Sequence, residues 1–223
     1  FAIRRGVSEK KDQTYALYNL TQEQLAHTLM PVGEYEKAEV RAIASRLGLP
    51  VAQKPDSQEI CFVPDDDYAG FIDGQAPGRV PGPGDFVDGE GKVLGRHKGI
   101  THYTIGQRRG LGLPGEKRVY VTEIRPDANE VVIGDNENLF TREVICDQVS
   151  FMAIEDLEAP MRVLAKIRYN HKGGYSRIEK LPDGRVRALF ESPVRAATPG
   201  QSTCFYDGEY VCGGGIITGA HSP

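Results

Sequence analysis

The stretches VLAKIRY at residues 163–169 and VRALF at residues 186–190 decide the fold of the C-terminal part of the chain. In each stretch small or apolar residues alternate with longer ones at a period of two, which is typical of strands that bury one face. The Pro-Asp-Gly run at 182–184 and the Asp-Gly pair at 207–208 indicate hairpin turns. Because such strands need to hide their edges, we predict that residues 138–223 close into a small β-barrel.

A second β-rich segment precedes this barrel. Short β-prone runs occur at residues 86–87, 93–96, 119–124 and 131–133, separated by Asp, Gly and Asn residues. Three acidic residues at 65–67 are followed by a Pro/Gly cluster at 77–84, which favours turns ahead of these runs. Residues 135–138 resemble a linker. The pattern predicts a small central β domain at residues 61–137.

The first sixty residues are predicted to be helical. Thr21 and Gln24 form a capping-box pattern ahead of Leu25 and Leu29, and Pro31 ends that run. A clearer helix, preceded by the weak N-cap residue Glu36, has apolar residues at i, i+3, i+4 and i+7: Val40, Ile43, Ala44 and Leu47. Two short helices cannot bury both apolar stripes by themselves, so we expect these two helices to pack against protein outside this chain. The predicted fold class is mainly β with a short N-terminal helical segment.

Composition restricts the class of protein. The chain has 223 residues, 39% of them hydrophobic, and no apolar run approaches the roughly 18 residues of a membrane span. The start lacks a signal-peptide pattern, so we expect a cytoplasmic protein with no membrane partner. Four cysteines show no disulfide or metal-ligand spacing, so we expect reduced thiols and no metal site. Cys146, Cys204 and Cys212 lie in β contexts, where buried structural thiols are expected.

The charge distribution is uneven. The net charge of −4 argues against binding nucleic acid by bulk charge, but seven basic residues and only one acidic residue lie between Lys92 and Arg118. A solvated surface explains such a run as well as an RNA contact does. Its glycines match neither a P-loop nor a dinucleotide-binding pattern, and Arg108 and Arg109 are the candidates for RNA contacts.

The string KPDSQEICFV at residues 54–63 is the clearest candidate for catalytic chemistry. Taken alone, Cys61 could be a buried strand cysteine that behaves as a small hydrophobe. Alternatively, the polar loop before it could present a reactive thiol. Lys54 would lower the pKa of such a thiol whereas Asp56 and Glu59 would raise it, so local charge does not decide.

This string resembles the active-site segment of bacterial tRNA-specific 2-thiouridylases. Three other blocks agree in order and spacing: RGVSEKKDQTYALYNLTQEQL at 5–25, GITHYTIGQRRGLGL at 99–113 and TPGQSTCFYDGEYVCGGGII at 198–217. The resemblance covers essentially the whole chain and implies a sulfurtransferase that replaces an oxygen of the wobble uridine with sulfur. It also implies that Cys61 carries the sulfur as a persulfide and forms a transient disulfide with a second cysteine.

The resemblance further implies that this chain is a fragment, inactive alone, because the family's N-terminal α/β domain with its SGGxDS pyrophosphate loop does not occur in it. We expect ATP and Mg²⁺ to bind in that domain and no cofactor to bind here. A cysteine desulfurase or sulfur-relay protein is the expected sulfur donor. The expected substrates are tRNAs for lysine, glutamate and glutamine.

The resemblance places the RNA contacts at six positions: Lys11, Asp12, Gln13, Arg168, Tyr169 and Gln201. Arginine can pair with phosphate and tyrosine can stack on an unpaired base, which suits an anticodon loop. Without the resemblance, residues 11–13 would be read as a solvated turn and Arg168 as an exposed strand residue.

Two other functions remain open at this point. The chain could be a noncatalytic RNA-binding module, in which a translation-factor-like barrel and a basic β module hold tRNA and Cys61 is structural. It could also belong to another ATP-pyrophosphatase enzyme acting on RNA or on a small substrate. The DSQEICF segment favours the thiouridylase, because persulfide transfer gives its cysteine a chemical role.

Overall fold

The computed structural model describes residues 1–54, 63, 67–114 and 117–221, which form two compact units. One unit combines Phe1–Pro55 with Thr141–Pro223, and the other spans Asp56–Phe140. The N-terminal segment thus shares a unit with the C-terminal strands. The three-part division at residues 60 and 137 stays a prediction.

The first unit is built on a closed six-stranded barrel with the strand order β10-β5-β8-β7-β6-β9. Its strands are β5 (Phe140–Phe151), β6 (Met161–Lys166), β7 (Gly174–Lys180), β8 (Val186–Arg195), β9 (Ser202–Asp207) and β10 (Tyr210–His221). The alternation in VLAKIRY and VRALF has the predicted consequence, since Val163, Ala165, Ile167, Val186, Ala188 and Phe190 are buried in the barrel core. The predicted barrel is therefore confirmed.

The hairpin turns lie where the sequence predicts them, but the end of β6 does not. Gly184 and Gly208 have φ angles of +87° and +56° in the expected turns. Strand β6, however, ends at Lys166, so Tyr169 lies in the turn that follows and not in the strand. The buried alternation stops at Ile167, and Tyr169 is 40% exposed.

The N-terminal segment contains short helices: α1 (Gln22–Ala26), α2 (Lys37–Arg46) and 3₁₀ turns at Glu9–Lys11 and Thr14–Ala16. The capping box of Thr21 and Gln24 is present, and Gly48 adopts a φ of +67° after α2. Leu29 lies beyond the end of α1 and is 92% exposed, and Leu47 caps α2 and is 65% exposed, so neither extends a buried stripe. The backbone N–H of Glu36 donates to the Glu39 carboxylate, which supports the start of α2.

Residues 1–25 pack on the outside of the barrel. Ile3, Tyr18 and Leu25 form a core with residues of β9 and β10, including Tyr206 and Val211. A Cβ atom on Gly214 of β10 would lie 2.7 Å from the Tyr18 ring and 2.3 Å from the Thr203 carbonyl oxygen. The absence of a side chain at this position lets the segment approach the barrel backbone.

The second unit is a four-stranded sheet with the order β2-β1-β4-β3. Its strands are β1 (Gly84–Val87), β2 (Val93–His97), β3 (Tyr120–Arg125) and β4 (Glu130–Gly134), and β1 and β4 are parallel. These strands match the four predicted runs. Helix α3 (Tyr68–Gln75) was not predicted and lies between the three acidic residues and the Pro/Gly cluster, and the segment interpreted as a linker overlaps a 3₁₀ helix at Asn136–Leu139.

Asp side chains explain where both helices begin. The Asp67 carboxylate accepts a hydrogen bond from the Gly70 N–H at 3.0 Å and so caps α3. Asp135 and Asn138 form a reciprocal capping box. Both helices therefore begin after an aspartate, which the sequence pattern did not identify as a helix start.

Candidate functional site

The rim of the barrel brings together two segments that are far apart in the sequence. The Gln13 side-chain amide donates a hydrogen bond of 2.7 Å to the Tyr169 hydroxyl. The Tyr15 ring meets the Tyr169 ring edge to face, with 6.4 Å between centroids. The Tyr15 hydroxyl donates to the Ser202 carbonyl oxygen at 2.6 Å. Gln13, Tyr15, Arg168, Tyr169 and Ser202 are called the rim cluster below.

Strand pairing explains why these residues meet. Strands β6 and β9 are antiparallel, with Lys166 opposite Cys204. The residues that follow β6 and those that begin β9 therefore lie at the same end of the barrel. Residues 13–15 reach this end because the segment around them packs on β9 and β10.

Arg168 supplies positive charge to the rim cluster. Its guanidinium donates to the Arg195 carbonyl oxygen at 3.2 Å and is only partly buried. Because a single neutral acceptor leaves most of the five guanidinium N–H donors available, Arg168 can still pair with an anion. An exposed aromatic ring beside a cation suits an unpaired nucleotide.

Burial alters the acidity of two neighbours of Arg168. Burial is the main cause that raises the pKa of Tyr15 to about 12, and Cys204 and Tyr18 add to it. His171 has its pKa lowered, first by burial and then by the charges of Arg168 and Lys166. Burial thus favours the neutral form of both groups, and the positive charge of the rim cluster comes from Arg168.

Asp12 does not face outward with Gln13. It is buried, one carboxylate oxygen lies 3.3 Å from Arg5 Nε and the other accepts from the Thr14 N–H at 3.0 Å. The Arg5 guanidinium lies over the Tyr206 ring, 5.3 Å from its centroid. Lys11, by contrast, is exposed. Lys11, Asp12 and Gln13, called the KDQ element here, thus divide into an inward carboxylate and two outward side chains.

Gln201 lies beside the rim cluster. It follows Gly200, which has a φ of +86°, and its backbone carbonyl accepts from the Ile217 N–H at 2.8 Å. Its side-chain oxygen is buried and has no hydrogen-bond partner among the described residues. This half-buried amide is adjacent in sequence to Ser202, which accepts from Tyr15.

The basic run of the second unit is only partly available for binding. Arg108 and Arg109 are exposed, whereas Arg96 pairs with Asp85 and Lys117 pairs with Asp135.

The run also contains a structural histidine. His97 is buried, its Nδ1 accepts from the N–H groups of Gly84 and Gly99, and its Nε2 lies 3.0 Å from the Asn129 carbonyl oxygen. These contacts require the neutral tautomer with hydrogen on Nε2.

Cys61 lies outside the described residues, so its assignment stays a prediction. The other three cysteines are free and buried, as expected. Burial raises the pKa of Cys146 and Cys204 to about 12 and that of Cys212 to about 11. Thiols with such values are poor nucleophiles at neutral pH.

Two further features concern the described part of the chain alone. Within it, no group of three or more His, Cys, Asp or Glu side chains is arranged to hold a metal ion. Among its helices, none combines the length and the apolar character that crossing a membrane would require.

No motif in the sequence identifies Tyr15 or His171 as residues of the candidate site. Tyr15 stands two residues after Gln13, but its 3₁₀ turn gives no periodic signal. His171 lies in the turn after β6, where a single histidine carries no motif.

The chain matches three family models that together cover most of its length. They are described as the tRNA methyl transferase HUP domain at residues 1–65, the tRNA methyl transferase PRC-barrel domain at 71–135 and the aminomethyltransferase beta-barrel domain at 141–217. The four-stranded sheet lies within the second match, and the third match covers the closed barrel except for the first residue of β5 and the last four residues of β10. The fold and the site thus define a class of protein in which a HUP domain, a PRC-barrel domain and a β-barrel domain are joined in one chain.

Curated relatives narrow this class. The chain is 56% identical to the tRNA-specific 2-thiouridylase MnmA of Lachnoclostridium phytofermentans, 52% identical to that of Acetivibrio thermocellus and 51% identical to that of Clostridioides difficile. Each match covers 97% of this chain and 60% of the relative. The chain therefore belongs to the tRNA-specific 2-thiouridylase family, and it spans about 60% of the length of these relatives.

Proposed function

We propose that this chain supplies the tRNA-binding face and the sulfur-carrying cysteine of a tRNA-specific 2-thiouridylase. The observation that carries the proposal is the hydrogen bond between Gln13 and Tyr169, which joins two predicted RNA-contacting segments 156 residues apart. Two relatives that share more than half of the aligned residues carry the name of this activity. The sulfur chemistry rests on the KPDSQEICFV string and on these names.

The rim cluster has the chemical groups that an anticodon loop requires. Tyr169 exposes 40% of its surface and offers a ring face to an unstacked base. Arg168, in the preceding position, offers a planar set of donors to a phosphate. A stacking ring and a phosphate-binding cation in adjacent positions can hold one nucleotide at both its base and its backbone.

The proposed reaction uses Cys61 as the sulfur carrier. A sulfur donor converts the thiol into a persulfide, whose terminal sulfur attacks C2 of a uridine that has been activated at its O2 atom with ATP. The activated oxygen leaves with AMP, and a second cysteine then attacks the inner sulfur of Cys61, which forms a disulfide and releases the thiolated base. The second cysteine and the site for ATP and Mg²⁺ are proposed to lie outside this chain.

A salt titration of tRNA binding tests the RNA-binding part of the proposal. Arg168→Ala is expected to reduce the slope of log affinity against log salt by about one, because one phosphate contact is lost. Tyr169→Ala is expected to cost about 1–3 kcal/mol and to leave the slope nearly unchanged, because stacking releases few counterions. Fluorescence anisotropy with a labelled tRNA measures both quantities.

Arg177→Ala provides the matched control. Arg177 is an exposed arginine on the outer side of β7, within the same unit, and removing it changes the net charge by the same amount. Its affinity and slope are expected to stay close to those of the unmodified chain. Equal losses in Arg168→Ala and Arg177→Ala would show that the rim recognises only charge and would contradict the proposed site.

A further inference from the structure

Tyr15 has contacts that the proposed RNA recognition does not yet use. Its ring meets the Tyr169 ring edge to face, and its hydroxyl donates to the Ser202 carbonyl oxygen. Tyr15 is half-buried, whereas Tyr169 is 40% exposed. A better-buried and anchored tyrosine thus supports the exposed one.

We propose that Tyr15 is a positioning residue that holds the Tyr169 ring in the orientation that stacks on an RNA base. The proposal rests on the proposed function. Tyr169 is fixed at two points, since Gln13 binds its hydroxyl at 2.7 Å and Tyr15 contacts its ring with an interplanar angle of 71°. An edge-to-face contact leaves a face of the ring open for stacking.

The anchoring of Tyr15 makes this support rigid. Its hydroxyl bonds to the backbone at the start of β9, and Tyr18 contacts the Ser202 hydroxyl at 3.1 Å, which gives the segment a second attachment to the same residue. The Tyr15 hydroxyl is protonated at physiological pH and can donate this bond, and burial raises its pKa further, to about 12. The support therefore comes from a strand of the closed barrel and not from the mobile end of a side chain.

Fixing an exposed side chain before binding increases affinity, because less rotational freedom is lost in the complex. For one side chain this effect corresponds to about 2- to 10-fold in affinity. Tyr15→Leu is therefore expected to weaken tRNA binding about 2- to 10-fold without changing its salt dependence. Tyr15→Phe keeps the ring contact but loses the hydroxyl bond to Ser202, so its affinity is expected to fall between those of Tyr15→Leu and the unmodified chain.

A double-mutant cycle with Tyr169→Ala separates positioning from direct contact. Where Tyr169 is already alanine, Tyr15→Leu is expected to cause little further loss of affinity, because it has no ring to position. Losses that multiply in the double variant would overturn the proposal, since Tyr15 would then act independently of Tyr169. Tyr175→Leu, which removes an exposed tyrosine of β7, is the control and is expected to leave the Tyr15–Tyr169 coupling unchanged.

A measurement without RNA distinguishes failure of this proposal from failure of the proposed function. In the chain carrying ¹³C-labelled tyrosine rings, the Tyr169 signal is assigned by its loss in Tyr169→Phe. Its relaxation order parameter is expected to fall in Tyr15→Leu and to fall less in Tyr15→Phe, which keeps the ring contact but not the hydroxyl bond. An unchanged order parameter in Tyr15→Leu overturns the positioning role. If Tyr169→Ala leaves tRNA binding intact, the proposed RNA site is wrong. The proposal that Tyr15 positions the ring for RNA is then also wrong, even if the order parameter falls in Tyr15→Leu.

Discussion

Asp12 offers a direct test of whether a residue of the KDQ element acts inside the protein or on RNA. Its side chain is 3% exposed and lies between the Arg5 guanidinium at 3.3 Å and the Thr14 N–H at 3.0 Å. Asp12→Asn can keep the bond to Thr14, but it removes the charge that faces Arg5 and can place an amide donor opposite the guanidinium donor. We expect the first unit to lose stability for this reason.

The magnitude follows from the burial of the two partners. Breaking a fully buried ion pair costs about 3–5 kcal/mol, and a hydrogen bond to a charged group contributes about 1.5–3 kcal/mol. The Arg5 side chain is 25% exposed and can recover part of its hydration, so the lower range applies. We expect Asp12→Asn to lower the free energy of unfolding by about 2 kcal/mol. Asp12→Ala also leaves the Thr14 N–H without its acceptor and is expected to cost about 3 kcal/mol.

Urea unfolding followed by far-ultraviolet circular dichroism measures these changes. A cycle with Arg5→Ala isolates the pair, because Asp12→Asn is expected to cost less once the guanidinium is absent. Glu9→Gln, an exposed carboxylate in the same segment, is the control and is expected to change stability by less than about 0.5 kcal/mol. If Asp12→Asn unfolds like the unmodified chain but weakens tRNA binding, the inward role of Asp12 is refuted.

Two further predictions concern the second unit and the sulfur chemistry. Gly84→Ala is expected to destabilise the four-stranded sheet by about 1–3 kcal/mol, because its Cβ would lie 2.1 Å from the Asn129 carbonyl oxygen; Gly89→Ala, with open space around it, is the control in the same urea assay. Equal stability of the two variants would contradict the close approach. When the protein is incubated with a cysteine desulfurase and cysteine at neutral pH, Cys61 is expected to take up sulfur. The buried thiols of Cys146, Cys204 and Cys212 are expected to stay unmodified, because their high pKa values keep them protonated. Mass spectrometry of the persulfides checks this, and labelling of Cys146 equal to that of Cys61 would favour the noncatalytic RNA-binding function.

Much of the fold was predictable because its signals are local. Alternation in VRALF requires only that one side of a strand be buried, and Ala188 and Phe190 are buried as predicted. The residue at which β6 ends could not be predicted from the sequence. The alternating pattern continues through Tyr169, but the backbone leaves the strand after Lys166, because barrel pairing and not side-chain type determines where a strand ends.

The candidate site was predictable only as separate segments. Motifs identified Gln13 and Tyr169, but a direct hydrogen bond between residues 156 positions apart has no local signal. The same limit applies to Asp12, since a carboxylate in a polar run is normally exposed and only the packing of Arg5 and Tyr206 around it shows that it is buried. Cys61 could be singled out from the sequence, and its environment lies outside the described residues.

The sequence by itself determined the strand-rich character of the chain, the capping box at Thr21 and the blocks by which the family is recognised, because periodicity, capping and motif content are properties of neighbouring residues. Tertiary structure alone decided that residues 1–25 lie against β9 and β10, that Tyr15 supports Tyr169 and that Asp12 faces inward. These features depend on the antiparallel pairing of β6 with β9, which brings the end of β6 and the start of β9 to one rim where the N-terminal segment meets them. Contacts of this kind arise from the balance of packing and desolvation among distant residues, so no short stretch of sequence contains them.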